Sequence, residues 1–276
     1  MYGCDCNQLK LGKNKMKLFD SHCHLDDKCY DNDLKNVIER AADENVKAMM
    51  LVSIDIKTLS KTIKIAKAYK NIITSVGIHP HDAKRWSTDD LNTLTDMAKK
   101  NSCVKAWGET GLDYNRMFSP EKDQESCFVA QMEIAETLDL PLIFHERDSN
   151  GRFFDILKSE GPQNRRGVVH CFSGTKRELF KYLDLNYYIG ITGIVTIKKR
   201  GEYLRSLVPH IPEDRLLIET DAPYLVPAPQ KNKTRRNEPA FVKSVLLKLA
   251  EIRKIEPEKL AEKIFDNTNR FYDVNF

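Results

Sequence analysis

A chain of 276 residues, 41% hydrophobic and 30% charged, has the balance of an ordinary globular protein, which excludes native disorder. No apolar run approaches the ~20 residues of a membrane-spanning helix, and a net charge of +4 permits an anionic ligand without demanding one. The length suits one large α/β barrel or two smaller domains.

Residues 1–16 hold few apolar residues in any period and read as an extension outside the fold, with Met16 a second possible start; residues 17–276 read as the folded domain. Cys4, Cys6, Cys23, Cys29, Cys103, Cys127 and Cys171 are odd in number and scattered, and no secretory signal precedes them. Reduced thiols in an intracellular compartment, cytoplasmic or nuclear, are expected. Cys4-x-Cys6 lacks a zinc-knuckle gap and a matching second pair, so it reads as incidental.

From Lys17 onward, short apolar runs alternate with amphipathic segments. The runs are KLFDSHCH, KAMMLVSI, IITSVGIH, VKAWGETGLD, PLIFHE, GVVHCF, YYIGITGI and LLIETDAP. They are brief, β-branched or aromatic, and mostly continuous, as expected of parallel strands buried on both faces. Leu34, Val37, Ile38, Ala41 and Ala42 form one helix face, and Leu59, Ile63 and Ala66 a narrower one. Ser87 or Thr88 can cap a helix carrying Leu91, Leu94, Met97 and Ala98; Ser119-Pro120 supplies a cap and a first-turn proline before Phe128, Met132 and Ala135. Leu179, Tyr182 and Leu183 mark a shorter helix, and two more are expected around Val242–Leu249 and Leu260–Phe265. This alternation predicts a (β/α)8 barrel. A doubly wound open sheet ranks second, because neither a Gly-rich dinucleotide fingerprint nor a P-loop is present.

His22 and His24, two apart on a strand, project from one face, and Asp20 can orient a ring through its second nitrogen. Glu109, His145, His170 and Asp221 fall at the C-terminal ends of four further runs. In a barrel those ends converge on one mouth. One such histidine is ordinary; six polar groups at strand ends require pairing or metal. Two ions sharing a bridging carboxylate would use the whole set.

With DSHCHLD, SVGIHPHDA, GETGLDY, FHERDS, HCFSGT, IGITG, ETDAPYL and RRNEPA in order from Leu18 onward, the chain resembles the TatD family of metal-dependent deoxyribonucleases. The resemblance implies one metal held by His22, His24, Glu109 and Asp221 and a second by Glu109, His145 and His170, with Glu109 bridging. It also implies 3′ exonucleolytic hydrolysis of DNA. Thr110 and Glu146 depart from the family pattern, the latter adding a negative charge near the site.

Asp221 can serve as general base as well as ligand, with Glu109 the other catalytic carboxylate and Glu219 a partner deeper in the barrel. Lys198, Lys199 and Arg200, then Lys231, Lys233, Arg235 and Arg236, follow the last two strands and could grip phosphates at the mouth. His79, Tyr114 and Arg147 are further candidate substrate contacts; His81 reads as structural, His210 as incidental, and Trp86 and Trp107 as packing residues. DNA is the expected partner, with no membrane or obligate protein partner inferred, and the two divalent ions are magnesium, manganese or zinc. The rival reading is a metal-dependent amide or ester hydrolase, including D-aminoacyl-tRNA deacylase-like activity. A non-catalytic nucleic-acid scaffold is the third.

Overall fold

The computed structural model describes residues 16–160 and 165–276; Cys4, Cys6 and all of the expected extension except Met16 lie outside them. Each of the eight apolar runs forms a strand: β1 Leu18–Cys23, β2 Val46–Leu51, β3 Ile72–Val76, β4 Val104–Asp113, β5 Leu142–Arg147, β6 Gly167–Val169, β7 Tyr188–Ile191 and β8 Leu216–Ile218. They pair in parallel and in chain order, so the sheet is a nearly closed (β/α)8 barrel.

Helices α1 Leu34–Asp43, α2 Leu59–Ala68, α3 Thr88–Lys100, α4 Glu121–Thr137, α5 Arg152–Ser159, α6 Lys176–Asp184, α7 Glu202–Leu207, α8 Val242–Arg253 and α9 Pro257–Tyr272 alternate with the strands. Val37, Ile38 and Ala41 are the buried face of α1, as their spacing requires. Ser87 caps α3 by accepting from the Asp90 amide at 3.1 Å. Pro120 stands one position earlier than expected, before the first turn of α4, and Ser119 does not cap that helix. The Ser119 hydroxyl instead donates to the His81 carbonyl at 2.8 Å and accepts from the Lys84 amide at 3.0 Å. No helix among the described residues is long and apolar enough to cross a membrane.

Two apolar layers result. Phe19, Ala48, Met50, Ile73, Ala106, Ile143, Val168, Tyr188 and Leu217, drawn from all eight strands, fill the interior with Phe265, Phe271 and Tyr272 of α9. The larger layer packs the outer strand faces against the helices. Continuous apolar strands follow from burial on both sides.

Closure between β8 and β1 combines an isolated backbone bridge with side-chain hydrogen bonds. Cys23 and Ala222 form an isolated bridge, the His24 amide donates to the Ala222 carbonyl at 2.7 Å, and the Asp221 amide donates to the His22 carbonyl at 2.9 Å. Below them the buried Asp20 carboxylate accepts from the Thr220 amide at 2.8 Å and the Thr220 hydroxyl at 2.5 Å. Burial pushes Asp20 up to about 8. Asp20 therefore does not orient an imidazole, as its sequence position suggests; it replaces missing ladder bonds at the seam.

Asp20→Ala leaves the buried Thr220 amide and hydroxyl unpaired, each costing roughly 1–3 kcal/mol. A stability loss of about 2–4 kcal/mol is expected, read as a lowered urea midpoint at unchanged slope. Asp20→Asn, which keeps an acceptor, should lose less; equal losses would refute the seam role.

Candidate metal centre

β4 carries Glu109 on a backbone that only glycine tolerates. Gly108 and Gly111 have φ of 144° and 141°, and a Cβ at these positions would stand 2.5 Å from the Ile143 carbonyl oxygen and 2.0 Å from that of His145. These close approaches explain the GETG spacing. Glu109 lies within β4 rather than at its end, because the strand runs on to Asp113. His22 lies in β1 and His145 in β5, while His24, His170 and Asp221 follow the ends of β1, β6 and β8. Asp221 takes φ 55°, a left-handed conformation that aspartate tolerates better than most residues.

Two donor groups contain Glu109. Ligand atoms of His22, His24 and Glu109 lie within 4.8 Å of one another, as do those of Glu109, His145 and His170. Glu109 belongs to both. Its Oε1 is 2.8 Å from His145 Nδ1 and 2.8 Å from His170 Nε2, while Oε2 is 3.5 Å from His22 Nε2. Asp221 Oδ1 joins the first group, 3.3 Å from His24 Nε2 and 3.8 Å from His22 Nε2. The six expected ligands therefore meet.

The donor set fits divalent cations. The Nε2 atoms of His22 and His24 face each other at 3.2 Å. His24 Nδ1 lies 3.1 Å from the Val52 carbonyl, which can only accept, so Nδ1 carries a hydrogen and Nε2 is the nitrogen turned inward. His22 Nδ1 is buried without a partner among the described residues. Burial favours a neutral Glu109, but the facing His170 and His79 outweigh it and hold the carboxyl well below the usual carboxylate range. At His24 burial opposes charge, yet Asp221 raises the pKa to about 9. Carboxylates and imidazoles this close are able to share a cation.

Comparison with known proteins identifies the family. The model for "TatD related DNase" matches residues 19–273. The chain belongs to the TatD related DNase family. It is 37% identical over 258 residues to a Bacillus subtilis protein called "uncharacterized metal-dependent hydrolase YabD", covering 94% of this chain and 100% of that one. It is 38% identical over 260 residues to the "3′-5′ ssDNA/RNA exonuclease TatD" of Pantoea ananatis, covering 93% and 100%. The solved structure of the TatD homologue YJJV from Escherichia coli superposes with a TM-score of 0.86 at 26% identity, covering 94% of this chain and 99% of that one.

Around this TatD-family centre stand orienting groups. Asp113 Oδ2 lies 3.1 Å from His145 Nε2 and 2.8 Å from His81 Nε2; it is the aspartate of GETGLDY, to which the sequence alone assigns no role, and it shares the Glu109 face of β4 at a spacing of four. Glu219 Oε1 lies 3.5 Å from His170 Nδ1 and accepts from the Cys171 amide. His79 Nε2 is 3.2 Å from His145 Nδ1 and 3.5 Å from Glu109 Oε1, and burial lowers its pKa to about 4. His81, expected to be structural, stands at the centre's edge with His79 and His145.

Other candidates are otherwise engaged. Arg236 forms a bidentate pair with Asp33 at 2.8 and 2.7 Å, reaches Glu238 at 3.0 Å and donates to the Cys29 carbonyl at 2.8 Å. It pins the loop after β8 to the start of α1 and offers phosphate little. The Tyr114 hydroxyl donates to Glu125 at 2.8 Å. Arg147 is exposed at the end of β5. Arg200, Lys231 and Arg235 rim a groove of about 350 Å³ floored by Ile194, Ile197, Leu225 and Val226. Glu146 turns to Ser149, accepting from its hydroxyl at 2.7 Å, and Thr110 accepts from Gln131 at 2.8 Å. Trp107 is fully buried against Gln131, donating at 3.1 Å, as a packing residue; His210 is exposed away from the centre.

Removing Asp113's hold on His145 should weaken metal binding about 10–100-fold in Asp113→Asn. Calorimetric titration with manganese checks this; an unchanged affinity would count against the orienting role.

Proposed function

We propose that this protein is a metal-dependent deoxyribonuclease that removes nucleotides from the 3′ end of DNA, using two divalent ions, magnesium, manganese or zinc. The observation that carries this reading is the pair of donor groups sharing Glu109. His22, His24, Glu109 and Asp221 would hold one ion, and Glu109, His145 and His170 the other; bound there, the ions would lower the pKa of water and neutralise charge on the attacking and leaving oxygens of a phosphodiester.

The chain's own groups do the rest. Asp221 accepts the proton of the attacking water at its carboxylate, which neighbouring His24, His170 and His22 keep ionised against the effect of burial. Asp113 and Glu219 hold the ligand rings in orientation. The exposed cations Arg147, Lys198, Lys199, Arg200, Lys231, Lys233 and Arg235 receive the phosphate backbone. His79 is the remaining proposed substrate-binding group. Residues 17–276 form the catalytic unit, and the free Cys23, Cys29, Cys103, Cys127 and Cys171 suit a reducing cytoplasm or nucleus.

The test is digestion of 5′-labelled linear and closed-circular DNA with manganese or magnesium. Linear strands should shorten from the 3′ end while circles resist, and chelation should stop the reaction. Asp221→Asn should lose about 10²–10⁴ in rate. Failure of metal to support cleavage of either DNA would sink the assignment, and turnover of amide or ester substrates in its place would favour the rival hydrolase. Neutralising Lys198, Arg200 and Arg235 together should raise KM for DNA and flatten its salt dependence, the slope falling by about one for each phosphate no longer neutralised.

A further inference from the structure

Six large apolar side chains are exposed among the described residues: Met117, Phe118, Phe180, Tyr203, Tyr224 and Leu247. Scattered surface hydrophobes are ordinary. Phe118 and Tyr224 differ, because each ring abuts a histidine of the centre. Phe118, 54% exposed, follows β4 and meets His81 edge-on with centroids 4.8 Å apart. Tyr224, 53% exposed, follows β8 and stands 6.1 Å from His24 at an interplanar angle of 62°.

Between them runs an unbroken series of rings. His24 lies 5.0 Å from His22, His22 stacks on His170 at 4.0 Å, His170 is 5.7 Å from His145, and His145 is 5.9 Å from His81. The two exposed aromatics thus terminate a single arc of candidate ligands and their neighbours, one at each end.

Both rings rise from anchored backbone. Beside Phe118, buried Ser119 is fixed by His81, Lys84 and Gln124, whose side-chain amide donates to the Ser119 carbonyl at 2.7 Å. The Tyr224 amide donates to the Asp221 carbonyl at 2.8 Å, and its carbonyl accepts from Asn237 at 2.6 Å. Packing does not account for their exposure, and little order remains to be imposed on binding. Phosphate is a poor match for Tyr224, which has Asp26, Asp27 and Asp221 nearby. A neutral aromatic face suits it better.

We propose that Phe118 and Tyr224 are stacking platforms for unpaired nucleobases, one on either side of the cleaved phosphate. This rests on the nuclease reading above. Stacking tolerates every base because each has a π face, and a duplex conceals those faces.

The experiment uses the full chain with manganese and three substrates: a 5′-labelled single-stranded oligonucleotide, the same strand with an abasic residue at the last or penultimate position, and a blunt duplex. Phe118→Ala and Tyr224→Ala should each raise KM on the normal strand about 5- to 100-fold with little change in kcat, while Tyr224→Phe retains wild-type KM. One abasic position should cost the wild type a similar factor, and the matching alanine variant should lose nothing further there. Because both side chains are exposed, melting temperatures should not move. Alanine variants with wild-type KM, or losses that multiply on both abasic strands, overturn the platforms while leaving the nuclease reading intact. If the wild type cuts no oligonucleotide, the nuclease reading falls and the platforms fall with it.

Discussion

The barrel closes through a carboxylate. Where β8 meets β1 the backbone ladder is reduced to an isolated bridge, and the paired hydrogen bonds from Thr220 to Asp20 hold the lower part of the seam. His22 and His24 lie on one side of that seam and Asp221 on the other. The first donor group is therefore built across the join, and its geometry is only as good as the closure. A buried carboxylate is an expensive way to join two strands, but it leaves the backbone above it free to turn, as the left-handed Asp221 does.

Much of this was legible in the chain. Eight continuous apolar runs become eight strands because burial on both faces leaves no other composition for them. The six ligands stand out because imidazoles and carboxylates at apolar strand ends have few satisfactory alternatives. What escaped depends on partners distant in sequence. Arg236 reads as a phosphate-binding residue from its charge and its loop, yet Asp33, 203 residues away, takes its guanidinium. Asp20 lies beside the histidines in sequence but serves Thr220, 200 residues on. His81 follows a proline that ends the strand pattern, and only the fold brings it to Asp113. Spacing reveals which residues share a strand face; it does not reveal which hydrogen bonds they satisfy.

The RRNEPA motif shows the same distinction in miniature. Arg236 grips α1, Asn237 donates to the Thr220 and Tyr224 carbonyls at 2.9 and 2.6 Å, and Glu238 pairs with Arg40 at 2.7 Å. Each of these polar residues fastens the loop after β8. Arg235 stays exposed, but the residues that follow it support the catalytic end of the barrel from outside, so most of a pattern shared with a nuclease family here fastens architecture.

Phe265, Phe271 and Tyr272 of α9 join the innermost ring of strand residues. They leave the barrel interior packed with side chains rather than open as a channel. A polymer cannot be drawn through it, and whatever is released must depart past the same rim by which it entered. Repeated removal of units from one chain end then requires the remaining strand to shift along the mouth after every cut, with the departing fragment clearing the way first.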